Sequence, residues 1–319
     1  MNDITVILPV HNGQQYLEES ILSVLSQSSQ AFDFIICDDF SSDSSKNIIQ
    51  GIQEKYPDRI KFIKNTRNLG LFATLNILIN TSLTNLIHIW AQDDIMKSDC
   101  LVNCIQFHKK HPNLGMSYHS VEYIDENNNI IENHLIDNTP EIIPLNLYLN
   151  ISVRYGCITD NISTVTLNKA IIEKTDLFRT DLKVSGDFEF WTRIAEMSSI
   201  GRIDRKLIYL RRHSNQLSRN FKSIYPRIVE DISIHKKIIS LMTGNEKNKG
   251  RKFYLFKTQT SYFNDFLFLI SKKEYQEAKK TYKSLSAETN IIFLLFRWLI
   301  FTVSRKLKIE KLLLKVTIA

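Results

Sequence analysis

From the amino end, apolar runs rich in β-branched residues alternate with stretches whose apolar residues recur every three or four positions. ITVILPV (residues 4–10) predicts a first strand. Leu17, Ile21, Val24 and Leu25 predict a helix after it, with Asn12 and Gln15 spaced as a capping box. FDFIICDD (32–39) predicts a second buried strand, and SSDSSKNIIQGIQEKY a helix capped by Asp43. RIKFIKN (59–65) and NLIHIWAQ (85–92) predict the third and fourth strands, followed in turn by the helices LFATLNILINTSL and SDCLVNCIQFHKKH. Strict alternation of this kind predicts right-handed crossovers and a parallel sheet with helices on both faces.

Past residue 110 the rhythm changes. LGMSYHSVEYID, an ENNN turn and IIENHL predict antiparallel strands joined to the sheet, CITDNISTVTL a further strand, KVSGDFEFWTRIAEM a loop and helix, and IGRIDRKLIYLRRH a late strand. Beyond about residue 220 the chain reads as helical and basic. The expected organisation is one domain over 1–220, divided into halves 1–110 and 111–220, and a helical region over 221–319.

Ligands of such sheets bind beyond the carboxyl ends of the strands. Three polar groups collect there: Pro9–Asn12 after strand one, Asp38 and Asp39 after strand two, and Asp93 and Asp94 after strand four. Adjacent carboxylates repel and resist desolvation, so the last pair calls for a cation, a hydrogen-bond network or water.

The length of 319 residues and 43% hydrophobic content suit one large domain or a domain with an appendage, and argue against disorder. A formal charge of +7 favours an anionic partner: nucleic acid, a phosphorylated ligand or an anionic membrane. The basic residues gather in the C-terminal helices with few aromatic stacking pairs, which speaks against nucleic acid. HNGQQY after strand one holds a single glycine, which speaks against a dinucleotide-binding oxidoreductase. Cys37, Cys100, Cys104 and Cys157 form no C-x-x-C pair and no secretion signal precedes the first strand, so a reduced cytoplasmic protein is expected. Cys100 and Cys104 share a helix face, but structural zinc needs two more ligands nearby, and core thiols are the expectation. The apolar run 291–303 is 13 residues long and contains Arg297, too short to span a bilayer. Flanked by Arg305, Lys306 and Lys308, it predicts a helix lying in a membrane interface. Packing on the rest of the chain or on a second subunit is the alternative, which leaves a homo-oligomer open.

With these segments in order, the chain resembles the family 2 glycosyltransferases, enzymes of the GT-A fold that move a sugar from a nucleotide donor to an acceptor. VILPVHNGQQYLEESILSVLSQS looks like the family's opening strand and helix, FIICDDFSSDSS like its second-strand acidic turn and NLGLFATLN like its nucleotide-side loop. AQDD stands at its DxD-type metal site, and SGDFEFWTRIAE followed by LIYLRRHSNQLS looks like its acceptor-side helix and late histidine loop. The resemblance covers about residues 3–218. It implies an α/β, Rossmann-like fold of GT-A type, a mixed but mainly parallel sheet flanked by helices, with a C-terminal helical extension.

It also implies roles. Asp93, and next Asp94, stand where the family holds Mn²⁺ or Mg²⁺, with His213 approaching the metal or diphosphate. Asp39 is the expected base-recognition acid, Asp38 being ambiguous. Pro9, Val10, His11 and Asn12 would flank the nucleotide, His11 at a position that often carries a stacking aromatic, and Asn68 and Gly70 would shape the loop at ribose and phosphates. Asp187 is the implied base, with Glu189 as second choice, and one base without a covalent nucleophile gives inversion. Trp191 is core or an acceptor platform. Three departures stand out. Ala91 replaces the first acid of the DxD, Leu75 stands where Arg is common, and Gly186 stands where an acid usually precedes the base; Arg67, Arg211 or His213 are alternative sources of phosphate-binding charge. The implied reaction takes a UDP-sugar, or next a dTDP-sugar, to a glycan or lipid-linked acceptor. Abundant Asn, Ile and Lys suggest an AT-rich bacterial genome, and with it lipopolysaccharide or capsule assembly at the inner face of the cell membrane. The departures also suggest a different class of function, a catalytically silent nucleotide-sugar-binding scaffold in an envelope-assembly complex.

Overall fold

The computed structural model describes residues 2–132, 137–214, 216 and 221–306. The chain divides into two compact units, Met1–Leu145 with Thr159–Ser214, and Asn146–Ile158 with Asn215–Ala319. Residues 146–158, read from sequence as part of the first domain, therefore group with the C-terminal helices.

The first unit opens with β1 (Ile4–Val10), α1 (Leu17–Leu25), β2 (Phe32–Asp38), α2 (Ser45–Lys55), β3 (Lys61–Lys64), α3 (Leu71–Thr81) and β4 (Leu86–Ile89). β5 (Ile95–Met96), α4 (Cys100–Lys110), β6 (Met116–Ile124), β7 (Ile130–Ile131) and β8 (Ile142–Ile143) follow. After α5 (Leu145–Tyr155), which lies largely in the second unit, come β9 (Val165–Asn168), α6 (Lys169–Ile172), α7 (Gly186–Met197) and β10 (Ile200–Arg211). The strands form one sheet in the order β3-β2-β1-β4-β9-β6-β10-β5, with β7 beside β6 and β8 beside β10. β3, β2, β1 and β4 are mutually parallel. β9 runs antiparallel between β4 and β6, and β10 is parallel to β6. The sheet is thus mixed and mainly parallel, as the pattern predicts.

The period of two along β1 explains the core. Ile4, Val6, Leu8 and Val10 join Leu17, Ile21 and Val24 of α1 and Phe34 and Ile36 of β2 in one buried cluster. The edge strand β3 is short and carries Lys61 and Lys64 exposed at its ends, which discourages pairing with another chain.

The expected capping box does not form. α1 begins at Leu17 without a side-chain cap. Asn12 sits at φ 50° and turns its Oδ1 to the Ser42 N–H, because the β1–α1 loop is tied to the loop after β2. Asp43 stands one residue before the N-cap Ser44 of α2, which has no side-chain cap; its Oδ1 accepts from Ser45 N and its Oδ2 from Gln14 N.

The second unit contains α8 (Ile224–Leu241), α9 (Gly244–Phe253), α10 (Gln259–Ser271), α11 (Tyr275–Glu288) and α12 (Ile291–Lys306), with a π-helical turn at Tyr254–Thr258 between α9 and α10. No described helix is by itself long and apolar enough to cross a membrane. α11 and α12 meet that test only as a pair, bent by 99°. Lys308 lies outside the described residues.

Candidate active site

The site is built where β1, β2 and β4 end together. Val10 pairs with Asp38 in register, and the Asp39 N–H donates to the Val10 carbonyl at 2.7 Å, so the two strand ends and their loops are stitched side by side. Asp39 is buried and organises the next loop. Its Oδ1 accepts from Asn65 Nδ2 and the Leu69 N–H, and its Oδ2 from the Gly70 N–H, each at 2.8 Å. An ionised carboxylate has about four acceptor positions, and three of them are filled within the protein. Gly70 holds φ 88°, a left-handed conformation that only glycine adopts at little cost, and α3 starts directly after it.

His11 connects this loop to the acid pair. Its Nε2 lies 3.1 Å from Asn68 Nδ2 and 3.3 Å from Asn12 Nδ2, both donors, so the ring proton sits on Nδ1, 3.0 Å from the Asp39 carbonyl. The His11 N–H donates to Gln92 Oε1 and the His11 carbonyl accepts from Gln92 Nε2. The backbone polar groups that the sequence reading offered to the nucleotide at Val10 and His11 are therefore largely engaged within the protein, while the His11 and Asn12 side chains stay exposed. Pro9 is half-buried.

Beyond Gln92 the two carboxylates diverge. Asp93 turns toward His213, with Oδ2 2.9 Å from Nε2, and its side chain keeps 21% of its surface exposed. Asp94 turns inward and is 1% exposed, one oxygen accepting from the Arg211 N–H at 3.0 Å and the other from Ser163 Oγ at 2.6 Å. Burial, and after it the charge of Asp93, pushes Asp94 up to about 8. Asp94 is thus an interior anchor in this geometry and does not share Asp93's half-buried position. The turn at Gln92–Asp93, between β4 and β5, separates the two.

Arg211 is also interior, at 1% exposure. Its guanidinium donates to Glu19 Oε2 at 2.7 Å, to the Asp93 carbonyl at 2.9 Å and to the Asp125 carbonyl, and it lies over the Tyr16 ring. As a source of phosphate-binding charge Arg211 is therefore corrected: its planar fork is consumed in holding the acid turn. Arg67 is exposed.

The other departures have packing reasons. Leu75 is fully buried in α3, a core position. A Cβ on Gly186 would lie 2.6 Å from the Phe72 ring, so no acidic side chain fits there. That close approach sets the amino end of α7 against the start of α3, directly after the Asn68–Gly70 loop. Asp187 lies half-buried in the first turn of α7, its Oδ1 accepting the Phe188 N–H at 2.8 Å. Glu189, the second-choice base, is buried and held by Arg193 at 2.9 and 3.0 Å, which commits it to structure. Trp191 is fully buried against Phe178 and Phe190, and so is core and not an acceptor platform.

One residue escaped the sequence reading. Phe40, next to Asp39, is 57% exposed and holds φ 62°, a conformation rare for a bulky side chain. Its only signal in the sequence is an aromatic directly after an acid pair.

Asp93 and His213 suit a divalent cation. Two ligands at about 2.1 Å and a right angle stand about 3.0 Å apart, close to the separation seen here, and a carboxylate with an imidazole fits Mn²⁺ better than the all-oxygen shell Mg²⁺ prefers. His213 Nδ1 is buried without a hydrogen-bond partner among the described residues.

Solved structures share the architecture. The Staphylococcus aureus TarS 1–349 structure aligns over 89% of this chain and 80% of its own, with a TM-score of 0.64 and 17% identity. Mannosyltransferase PcManGT from Pyrobaculum calidifontis, in complex with GDP-Man and Mn²⁺, aligns over 95% of this chain and 87% of its own, with a TM-score of 0.59 and 14% identity. The fold is that of the GT-A glycosyltransferases. Residues 5–174 match the family model for glycosyl transferase family 2, and the chain belongs to that family. The matched stretch includes Asp39, Asn68, Gly70 and Asp93 and ends before Asp187 and His213. An uncharacterized glycosyltransferase of Haemophilus influenzae is 25% identical over 226 residues, 67% of each chain. Another, of Rickettsia bellii, is 26% identical over 280 residues, 86% of this chain and 38% of its own length.

Proposed function

We propose that this chain is a metal-dependent, inverting glycosyltransferase that moves a sugar from a nucleoside-diphosphate donor, UDP-sugar first and dTDP-sugar next, to a hydroxyl of a glycan or lipid-linked acceptor. The observation that carries this reading is the half-buried Asp93–His213 pair, joined through Gln92 and His11 to the loop that Asp39 holds in place. Support for the donor comes from TarS, whose structures include complexes with UDP and UDP-GlcNAc, and for manganese from the PcManGT complex.

The residues divide the work. Asp39 accepts from a ring N–H of the base, and Phe40 presents an aromatic face beside it. His11, Asn12, Asn68 and Gly70 line the ribose and phosphate side. Asp93 and His213 would hold Mn²⁺, which when bound offsets the negative charge left on the departing diphosphate. Asp187 takes the proton of the acceptor hydroxyl as it attacks the anomeric carbon from the face opposite the leaving group, which inverts that centre. Leu75 and Gly186 are explained by packing, and this removes two of the three departures that favoured a silent scaffold.

The proposed setting is assembly of a bacterial surface polysaccharide at the inner face of the cell membrane. Ile292, Phe293, Phe296, Leu299 and Val303 of α12 are exposed and suit a peripheral membrane contact. The reaction is tested by incubating the purified chain with UDP-, dTDP- and GDP-sugars and Mn²⁺, with free nucleotide as readout. UDP release above the no-enzyme rate is expected, with a loss of about 100-fold or more in Asp93→Asn and Asp187→Asn, each still folded. Nucleotide-dependent thermal stabilisation without turnover, in the presence of lipid-linked acceptors, would instead support the scaffold.

A further inference from the structure

A second cluster of metal-ligating side chains lies inside the first unit. His88 points from β4 and His119 from β6, on either side of β9, and Cys100 and Cys104 lie one turn apart on the same face of α4. All four are buried. One ligand atom from each of His88, Cys100 and His119 lies within 4.8 Å of the others, with Cys100 Sγ 3.9 Å from His119 Nε2. The Cys104 thiol interacts with both Cys100 and His88.

The hydrogen bonds around the rings have a direction. His88 Nδ1 meets Thr166 Oγ1 at 3.0 Å, and His119 Nδ1 meets the Ser120 carbonyl at 3.0 Å. In each ring the Nδ1 is occupied by an oxygen, which leaves Nε2 as the inward nitrogen, the arrangement that orients metal-binding imidazoles. His88 Nε2 is buried with no hydrogen-bond partner among the described residues. An orphaned polar nitrogen in a core is costly unless something binds it.

We propose that His88, Cys100, Cys104 and His119 hold a structural zinc ion, apart from the Asp93–His213 pair. Zinc bonds of about 2.0–2.3 Å in a tetrahedron place ligands about 3.3–3.8 Å apart, against 3.9 Å between Cys100 Sγ and His119 Nε2 and at most 4.8 Å within the His88–Cys100–His119 group. Two thiolates and two neutral imidazoles cancel the charge of Zn²⁺, so the closed site carries no net charge in an apolar interior. An S₂N₂ set selects zinc over the oxygen-seeking Mn²⁺ and Mg²⁺. The ion would join β4, β6 and α4. It would also pin both ends of the segment carrying the acid pair, since His88 precedes Asp93 and Cys100 follows Asp94.

The test uses the full, tag-free chain produced with zinc in the medium, with metal measured by mass spectrometry. About one zinc per chain is expected after dialysis against EDTA, released when a mercurial titrates the thiols. Chain produced with cobalt in place of zinc is expected to show tetrahedral Co²⁺ bands with thiolate charge transfer, a readout that needs no variant. Cys104→Ser should lose the ion and Asp93→Asn should keep it. Zinc below roughly a tenth of an equivalent with no cobalt bands, or zinc kept in Cys104→Ser and lost in Asp93→Asn, would overturn the proposal.

Discussion

At Phe40 a large aromatic ring is held exposed on a backbone that L-residues avoid, immediately after the carboxylate that organises the nucleotide-side loop. Left-handed backbone costs a non-glycine residue about 1 kcal/mol or more, so something other than stability accounts for the side chain. Phe40→Gly is expected to leave the melting temperature unchanged or raised while weakening UDP binding about tenfold, measured by calorimetry, since base–aromatic stacking contributes about 1–3 kcal/mol. Unchanged UDP affinity would remove Phe40 from the site. Asp94 gives a second residue-scale prediction. Its folded carboxyl holds a proton up to about 8, whereas the unfolded chain releases it in the ordinary carboxylate range. The folded state thus binds more protons between these limits. The stability contributed by this group is full below the ordinary range and is lost as pH rises toward 8, by at most about 1.4 kcal/mol per pH unit. Metal-free wild type should therefore lose stability relative to Asp94→Asn from about pH 5 to about pH 8 in urea titrations. Parallel curves would show Asp94 ionised throughout. The family resemblance ranked Asp93 before Asp94, but the residues themselves carried no sign that one is buried. Which one faces solvent depends on Ser163 and Arg211, partners from far along the chain.

At the scale of elements, the β-branched runs and helical periods located β1 to β4 and α1 to α4 to within about four residues at each end, because β1, β2 and β4 are buried on both faces and each helix on one. The late strand and α7 were equally legible. The reversal of β9 was not, since a four-residue strand carries no mark of its direction. The histidines of the proposed zinc site became neighbours only through that insertion, which is why the two cysteines read as core thiols. The apolar run of α12 predicts an interfacial helix, and Phe293 and Phe296 on it are exposed. Replacing Phe293 and Phe296 together by Asp should abolish sedimentation with anionic vesicles and leave the melting temperature within a few degrees, because both rings are exposed. Undiminished sedimentation would leave α12 without a membrane role.

For the whole molecule, the charge of +7 had suggested an anionic partner without choosing one. The proposed diphosphate at the site and the proposed anionic surface at α12 both call for positive charge, so one sign of charge serves both proposals. The order of the sheet also bears on how the chain is made. β4 is a fully buried central strand, yet its second neighbour, β9, lies about 80 residues further along. At roughly 5–20 residues per second, a ribosome leaves the LIHI edge unpaired for several seconds while α4 to α5 are still being synthesised. During that interval the emerging chain presents an apolar open ladder, the kind of edge that recruits other strands. Chains interrupted between residues 111 and 164 should accordingly be the ones a cell finds aggregated or bound to chaperones.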